Sequence, residues 1–413
     1  MILSKRALTS ILIALLVGVQ FIPKVNLGFQ VRPDDLIYLL SFGFLVILFR
    51  SLPLVVLGYG ATILLSNFIH FYNALALDAR GFLFVGRYTA FALMVGLGAW
   101  LRQGISPYFG RTLWRVLSCF AVVQAAVVIA QRWGALPIII DNNLVINASR
   151  ATGMTSHPTE LGFVNLLLIA LAYQITHSGK RRVGFYFVIL CFVGALVAAD
   201  SRTSLVGGLV MICLYELYTR RGSIKHSVYR WALSPLLVLG GWFVVSQSGR
   251  VAEVLSSGNA TFVTQTLRDP RHVDDFSNIN PQLAPRNVDP SLYVRIKKWG
   301  HILADVEARP LTGSGPGAYG AAVDGLYMRI LGEGGILGLA VYLSGLGILF
   351  FSAKSFYFRL FFLAILFSSI FIDALFFSRF AYVFYLYAGL QISGGAARIE
   401  ALGVDTGLTN VRL

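Results

Sequence analysis

The stretch LYMRILGEGGILGLAVYLSGLGILFF, residues 326–351, carries only two charges, Arg329 and Glu333, both near its start. About 20 predominantly apolar residues suffice to cross bilayer hydrocarbon as a helix, so this run reads as a membrane span with its ionisable groups at one end. Working outward, similar runs recur at roughly 7–23, 36–50, 52–70, 81–101, 113–131, 160–176, 183–199, 203–219, 232–247, 358–377 and 379–393. That makes about twelve spans. The chain is 56% hydrophobic and 13% charged, against about 25% charged in ordinary soluble domains, so it reads as an all-α polytopic membrane protein. Its 41 glycines suit helices that approach closely in lipid.

The exception to this apolar texture lies just before residue 326. Residues 247–325 form a long polar stretch, dividing the chain into spans one to nine (1–246), a large loop (247–325), spans ten to twelve (326–393) and a tail (394–413). Lysine and arginine in the short connections set orientation. Lys5/Arg6, Arg50, Arg102/Arg111/Arg115, Lys180 to Arg182, Arg220 to Arg230, Lys354/Arg359 and Arg398 fall in one alternating set. That set is expected in the cytoplasm, which puts both termini inside and the long loop outside. Lys5 and Arg6 before an apolar run resemble a signal peptide, but no small-residue cleavage site follows, so a retained first helix is expected. The net charge of +15 has no soluble basic domain behind it, so no nucleic-acid partner is expected. Anionic head groups and a phosphate-bearing ligand fit better. Cys119, Cys191 and Cys213 lie in apolar runs and read as small buried hydrophobes.

Arg87, Arg150, Arg202, Arg329 and Arg379 all fall at the outer ends of spans. A charge at the bilayer centre costs at least ~2.5 kcal/mol and less toward the ends. Each can snorkel to head groups, but together they suggest one cationic pocket facing the outer leaflet. Within the loop, residues 291–307 repeat Leu292, Ile296, Trp299, Leu303 and Val306 at helical spacing, with Arg295 and Lys298 on the polar side. The bland reading is a helix lying on the bilayer surface. Residues 259–290 read as irregular loop, and the glycines of Gly313-Ser-Gly-Pro-Gly as tight turns rather than a phosphate loop. The histidines are scattered, so no metal cluster and no cofactor is expected.

Four segments carry a resemblance. They are Arg150-Ala-Thr-Gly-Met-Thr-Ser-His157-Pro-Thr-Glu-Leu-Gly, Asp200-Ser-Arg202-Thr-Ser, Arg295 through Trp299 to Pro310-Leu-Thr-Gly-Ser-Gly-Pro-Gly, and Asp324-Gly-Leu-Tyr327-Met-Arg329-Ile-Leu-Gly-Glu-Gly-Gly. In order, spacing and side they resemble the O-antigen ligase and O-antigen polymerase superfamily of bacterial inner-membrane glycosyltransferases. The resemblance covers the whole topology. His157 and Thr159 stand where asparagines are common in the family, and Asp324 stands where its ligases carry histidine. That last departure favours a polymerase.

The resemblance implies a GT-C-like bundle of about twelve helices in the bacterial inner membrane, with its active site facing the periplasm. It implies transfer of glycan from an undecaprenyl-diphosphate donor to a sugar hydroxyl of a lipid-linked acceptor. Membrane lipids and a polysaccharide chain-length regulator are its further implied partners. The leaving diphosphate needs fixed cations more than any other catalytic aid. Arg202 and Arg295 are the candidates, supported by Lys298, Arg150, Arg329 and Arg87 with Tyr327 beside them. Asp324 is the candidate to orient or activate the acceptor hydroxyl; its alternative is an N-cap of the tenth span. His157 is a second candidate base, its alternative a structural role. Metal-independent catalysis is expected. The competing readings are a ligase acting on lipid A-core and, in a different class, a flippase for lipid-linked oligosaccharide. A flippase predicts repeats and helices broken at the midplane.

Overall fold

The computed structural model describes residues 4–18, 54–74, 79–103, 105–106, 108–140, 143–145, 150–155, 157–176, 183–219, 257–273, 276, 279–320, 323–376 and 378–392, with Arg202 and Arg379 described by backbone alone. Twelve α-helices are described. They are α1 (Lys5–Val17), α2 (Leu54–Ala74), α3 (Ala79–Gln103), α4 (Phe109–Arg132), α5 (Pro158–Ile175), α6 (Val183–Ala199), α7 (Arg202–Thr219), α8 (Ser257–Arg268), α9 (Pro290–Ala308), α10 (Leu326–Ser352), α11 (Phe356–Ser368) and α12 (Ser378–Ile392). Leu54–Tyr72, Phe109–Arg132, Pro158–Ile175 and Leu326–Ser352 are long and apolar enough to cross a membrane, and α6, α7, α11 and α12 contain shorter apolar helices. Their outward faces present Leu64, Phe68, Leu190 and Phe187, side chains suited to lipid.

The expected spans 36–50 and 232–247 lie outside the described residues, as do part of 7–23 and the tail 394–413. The expected span 358–377 is corrected: its helix stops at Ser368, and a turn and a short 3-10 segment, Ala374–Phe376, follow. A small antiparallel hairpin, β1 (Ile138–Ile140) with β2 (Asn143–Val145), sits in the connection after α4, where only helix and loop were expected.

Two helix groups make the bundle. In the first, α12 packs along α3, and α10 along α2. The α3–α12 contact brings backbones together at two glycines. A Cβ on Gly98 would stand 2.1 Å from the Leu386 carbonyl oxygen, and one on Gly389 would stand 2.1 Å from that of Val95, so small residues are required there. In the second group α5 is central, buried along its whole length and surrounded by α4, α6, α7 and α11. Ser204 of α7 lies against Gly162 of α5, and Ser368 of α11 against Gly207 of α7. These contacts put the N-terminal ends of α5 and α7 and the C-terminal end of α11 at one end of the bundle.

The α10 helix breaks at Gly335, whose φ is 63° and ψ −164°. The loop fills that break. The Ser314 and Gly315 amides donate to the Gly332 and Glu333 carbonyls, both at 2.8 Å, while the Ile336 amide donates to the Pro310 carbonyl at 2.9 Å. Backbone groups freed by a break inside a membrane helix need such partners, because lipid offers none. Gly313 (φ 65°) is required at this contact, since its Cβ would meet the Gly332 oxygen at 2.5 Å. The expected tight turns of residues 313–317 are therefore present, and they also stitch the loop into the span.

The loop contains more helix than expected. Residues 259–290 were read as irregular, but α8 occupies Ser257–Arg268. Its partner is α9: Phe262 stacks on Tyr293 at 5.4 Å, and the Asn259 side chain accepts the Asp289 amide at 3.0 Å. Asp289 in turn caps α9 by accepting the Leu292 amide, with Pro290 in the first helical position. The α9 helix matches the expected amphipathic segment to within a residue at each end. Rather than lying apart as a surface helix, it packs on α10 through Ile302, Tyr319, Val323 and Met328.

Candidate functional site

The N-terminal end of α10 is where the charges meet. Arg329 is fully buried. Its Nη1 donates to the Gly320 carbonyl at 2.8 Å and to Glu333 Oε1 at 3.2 Å, and its Nε donates to Asp373 Oδ2. The Tyr88 hydroxyl of α3 donates to the other Glu333 oxygen at 3.2 Å. One guanidinium thus ties together the loop, α10, the turn after α11 and, through Glu333, α3. His70 of α2 stacks on Tyr88 with 7° between the planes and fills the space over Gly334. The α10 start is also tied to α11: the Leu326 amide donates to the Ser369 carbonyl at 2.9 Å and the Tyr327 hydroxyl to the Leu366 carbonyl at 2.9 Å.

Above this buried knot lies a half-open layer. Asp324 Oδ2 stands 3.8 Å from Arg295 Nε. That is ion-pair range, beyond hydrogen-bond reach, and the buried Arg295 Nε has no hydrogen-bond partner among the described residues. The Trp299 indole donates to the Asp324 carbonyl at 2.5 Å and lies against Gly325, which fixes α9 over the start of α10. Gly325, not Asp324, takes the N-cap position, and no side chain caps the helix. The Asp324 carboxylate is therefore not spent on capping.

Lys298 was expected on the polar side of its helix. It is instead buried, with its ammonium 5.6 Å from the Phe276 ring centroid. The helix docks on α10 and α8 rather than on a flat surface, so part of its polar side is covered. Burial lowers the Lys298 pKa, opposed by the nearby Asp324 and reinforced by Arg329.

Asp373 was not singled out in the sequence. It sits in the turn between α11 and α12, where burial pushes its carboxyl up to about 6. Arg329, its hydrogen bond and Arg87 oppose that shift, and Asp324 adds to it. Arg87, Lys298, Asp324, Arg329 and Asp373 therefore share one electrostatic neighbourhood. A lone aspartate inside what reads as an apolar span was the available signal, since such groups are costly unless used.

The remaining candidates form a second group. Arg150 Nε donates to the Ala199 carbonyl at 3.2 Å, and the Ala151 amide to the Ala198 carbonyl at 2.9 Å, closing the end of α6. The turn that follows holds Asp200 at φ 48°, a conformation that aspartate tolerates better than most residues. Arg202 begins α7 immediately after it. His157 caps α5, its Nδ1 accepting the Thr159 amide at 3.2 Å, which is the structural alternative foreseen for it. This group adjoins the first through α7 and α11, where Gly207 meets Ser368.

The histidines are less scattered than the sequence suggests. His272, His301 and Asp305 bring possible ligand atoms within 4.8 Å of one another. The geometry at His301 argues for another use. Its Nδ1 accepts the Val273 amide at 2.9 Å, so in the neutral ring the proton is on Nε2, which faces Asp305 at 3.6 Å. A ligating histidine donates from its other nitrogen; this one accepts there. Asp305 also receives the Tyr319 hydroxyl at 2.9 Å, and the group reads as a polar clasp within the loop.

No protein-family model matches this chain, and no curated protein matches it.

Proposed function

We propose that this chain is a polysaccharide polymerase of the bacterial inner membrane, extending an O-antigen or related glycan on its lipid carrier. It transfers glycan from an undecaprenyl-diphosphate donor to a sugar hydroxyl of a lipid-linked repeat unit. The reading rests first on the resemblance of its four segments to the O-antigen polymerase and ligase superfamily. The observation that carries it is the half-open layer at the start of α10. There the buried Nε of the partly exposed Arg295 lacks a hydrogen-bond partner among the described residues, the buried Lys298 lies one turn from it, and the Asp324 carboxylate, not used as a helix cap, stands near both. Such a place suits an incoming anion and a hydroxyl together.

Roles follow from placement. Arg295 and Lys298 bind the diphosphate and stabilise the charge that develops on it, with Arg87 nearby. Arg202 and Arg150 act from the adjoining group. Asp324 orients the acceptor. Arg329 acts differently from the others: its guanidinium is engaged by the protein itself, so it positions the site rather than touching substrate. Tyr327 likewise holds α10 to α11. The long loop covers the site from the periplasm, both termini lie in the cytoplasm, and catalysis is metal-independent.

A glycan profile of a deletion strain tests this reading. Single repeat units on lipid A-core with no ladder are expected. Bare core with long glycans on the carrier would mean a ligase instead. The flippase reading draws on one observation, the break in α10 about 14 Å from its start, close to half a bilayer core. Elongation by purified protein in detergent, where there is no leaflet to cross, excludes it; lack of elongation there favours it.

A further inference from the structure

We infer that Asp373, through its Oδ1 atom, accepts the proton of the acceptor hydroxyl. The inference rests on the transfer reaction proposed above and adds to it a catalytic residue that the sequence motifs do not contain.

The geometry is that of a carboxylate held through one oxygen, with the other left without a partner among the described residues. Oδ2 is bound by Arg329 Nε, and Arg329 is itself fixed by Glu333 and the Gly320 carbonyl. The group therefore cannot swing away, which is what preorganised catalysis requires. Oδ1 is buried and has no hydrogen-bond partner among the described residues. An unmet buried acceptor of this kind is costly, and a sugar hydroxyl is the donor it lacks. Within the knot one guanidinium serves two carboxylates.

Asp324 is the competing base, and exposure separates the two. The Asp324 side chain is 45% exposed and that of Asp373 is 10% exposed. Burial raises the Asp373 carboxyl toward neutrality, where it remains mostly ionised at pH 7 and takes a proton more readily than an ordinary carboxylate. The two carboxylates then divide the work: Asp324 orients the hydroxyl from the solvent side and Asp373 receives its proton.

In the step, the acceptor oxygen bonds to the anomeric carbon of the donor as the bond from that carbon to the diphosphate oxygen breaks. The electron pair leaves on the polyprenyl diphosphate, facing Arg295. The hydroxyl proton passes to Asp373 Oδ1 and is later lost to water. The charged and titratable groups around Asp373 are Arg329 and Glu333 of α10, Arg87 and Tyr88 of α3, Asp324, and Tyr385 of α12.

The test uses full-length protein in lipid nanodiscs with undecaprenyl-diphosphate-linked repeat unit as probe. Elongation is followed across pH for wild type, D373N, D373E and D324N, with thermal unfolding as the folding control. D373N should lose at least ~100-fold in kcat with KM little changed. The wild-type acid limb near pH 6 should vanish in D373N and shift in D373E, while D324N keeps it. A folded D373N within ~3-fold of wild type, far short of a base's contribution, overturns the inference, as does an acid limb that survives in D373N. If D373N does not fold, the D373E profile decides, and a limb unmoved from wild type overturns it. A wild-type protein that transfers no glycan overturns the proposed function as well, so the two failures are distinct.

Discussion

Arg295 Nε and Asp324 Oδ2 face each other across 3.8 Å at the mouth of α10, close enough to attract and too far apart to bond. A ligand anion at Arg295 would give its Nε the hydrogen-bond partner it lacks among the described residues. R295A should therefore abolish glycan elongation, a loss of at least ~100-fold, without loss of expression or membrane insertion. R295K should fail as badly, because a lysine cannot make the bidentate contact. R202A and R202K are expected to behave alike. Normal polymer from a Lys variant in a complementation assay would reduce the role to simple charge.

The buried knot around Arg329 predicts a stability effect. R329A leaves Glu333 and Asp373 buried without their cation, which should cost about 3–5 kcal/mol. Thermal unfolding in detergent reads this directly. Replacing all three groups with apolar residues, as in R329M/E333L/D373L, should recover most of the lost stability while remaining inactive. Equal instability of the single and triple variants would mean that the knot is not the source.

Glycines of like backbone angle should differ sharply. G313A and G335A place a Cβ within 2.4–2.6 Å of backbone across the α10 break, and a loss on the order of 3 kcal/mol or more is expected. Gly320 also has positive φ, 62°, but nothing lies within 4 Å of its would-be Cβ. G320A should cost only the left-handed strain, about 1–2 kcal/mol. Melting temperatures of the three variants settle the order.

The loop clasp predicts a pH dependence. Burial lowers the His301 pKa from its ordinary 6.5, opposed by Asp305 and reinforced by His272. The folded state therefore prefers the neutral ring. Its contribution is full above pH 6.5 and is lost as pH falls through the lower folded value. Protonation at Nδ1 would set two donors against each other at Val273. The protection factor of the Val273 amide, taken against its intrinsic exchange rate at each pH, should fall on acidification in wild type, and this response should disappear in H301Q. Equal protection at neutral and acid pH in wild type would refute the clasp.

The helices of the bundle were legible because apolar runs bounded by charges leave little choice of element. The amphipathic α9 was legible for the same reason, its period being set by Leu292, Ile296, Trp299 and Leu303. The burial of Lys298 was not, because spacing gives a face but not what covers it. Helix α8 is hard to see in the sequence because it has few apolar residues among many polar ones, and the contacts that hold it, Asn259 with Asp289 and Phe262 with Tyr293, lie across the chain. The span ending at Ser368 was read too long because Phe371, Ile372, Ala374 and Leu375 extend the apolar run, while the reason for the turn, Asp373 reaching Arg329, lies 44 residues away. Arg329 was visible as a charge out of place; its partners were not.

The stitching of residues 310–315 into α10 also constrains the order of events at the ribosome. A helix broken at Gly335 has unmet amides and carbonyls until the preceding loop supplies them. The loop, made first, must return its glycine-rich end to the emerging segment. The span therefore matures late, as a joint product of two pieces of chain.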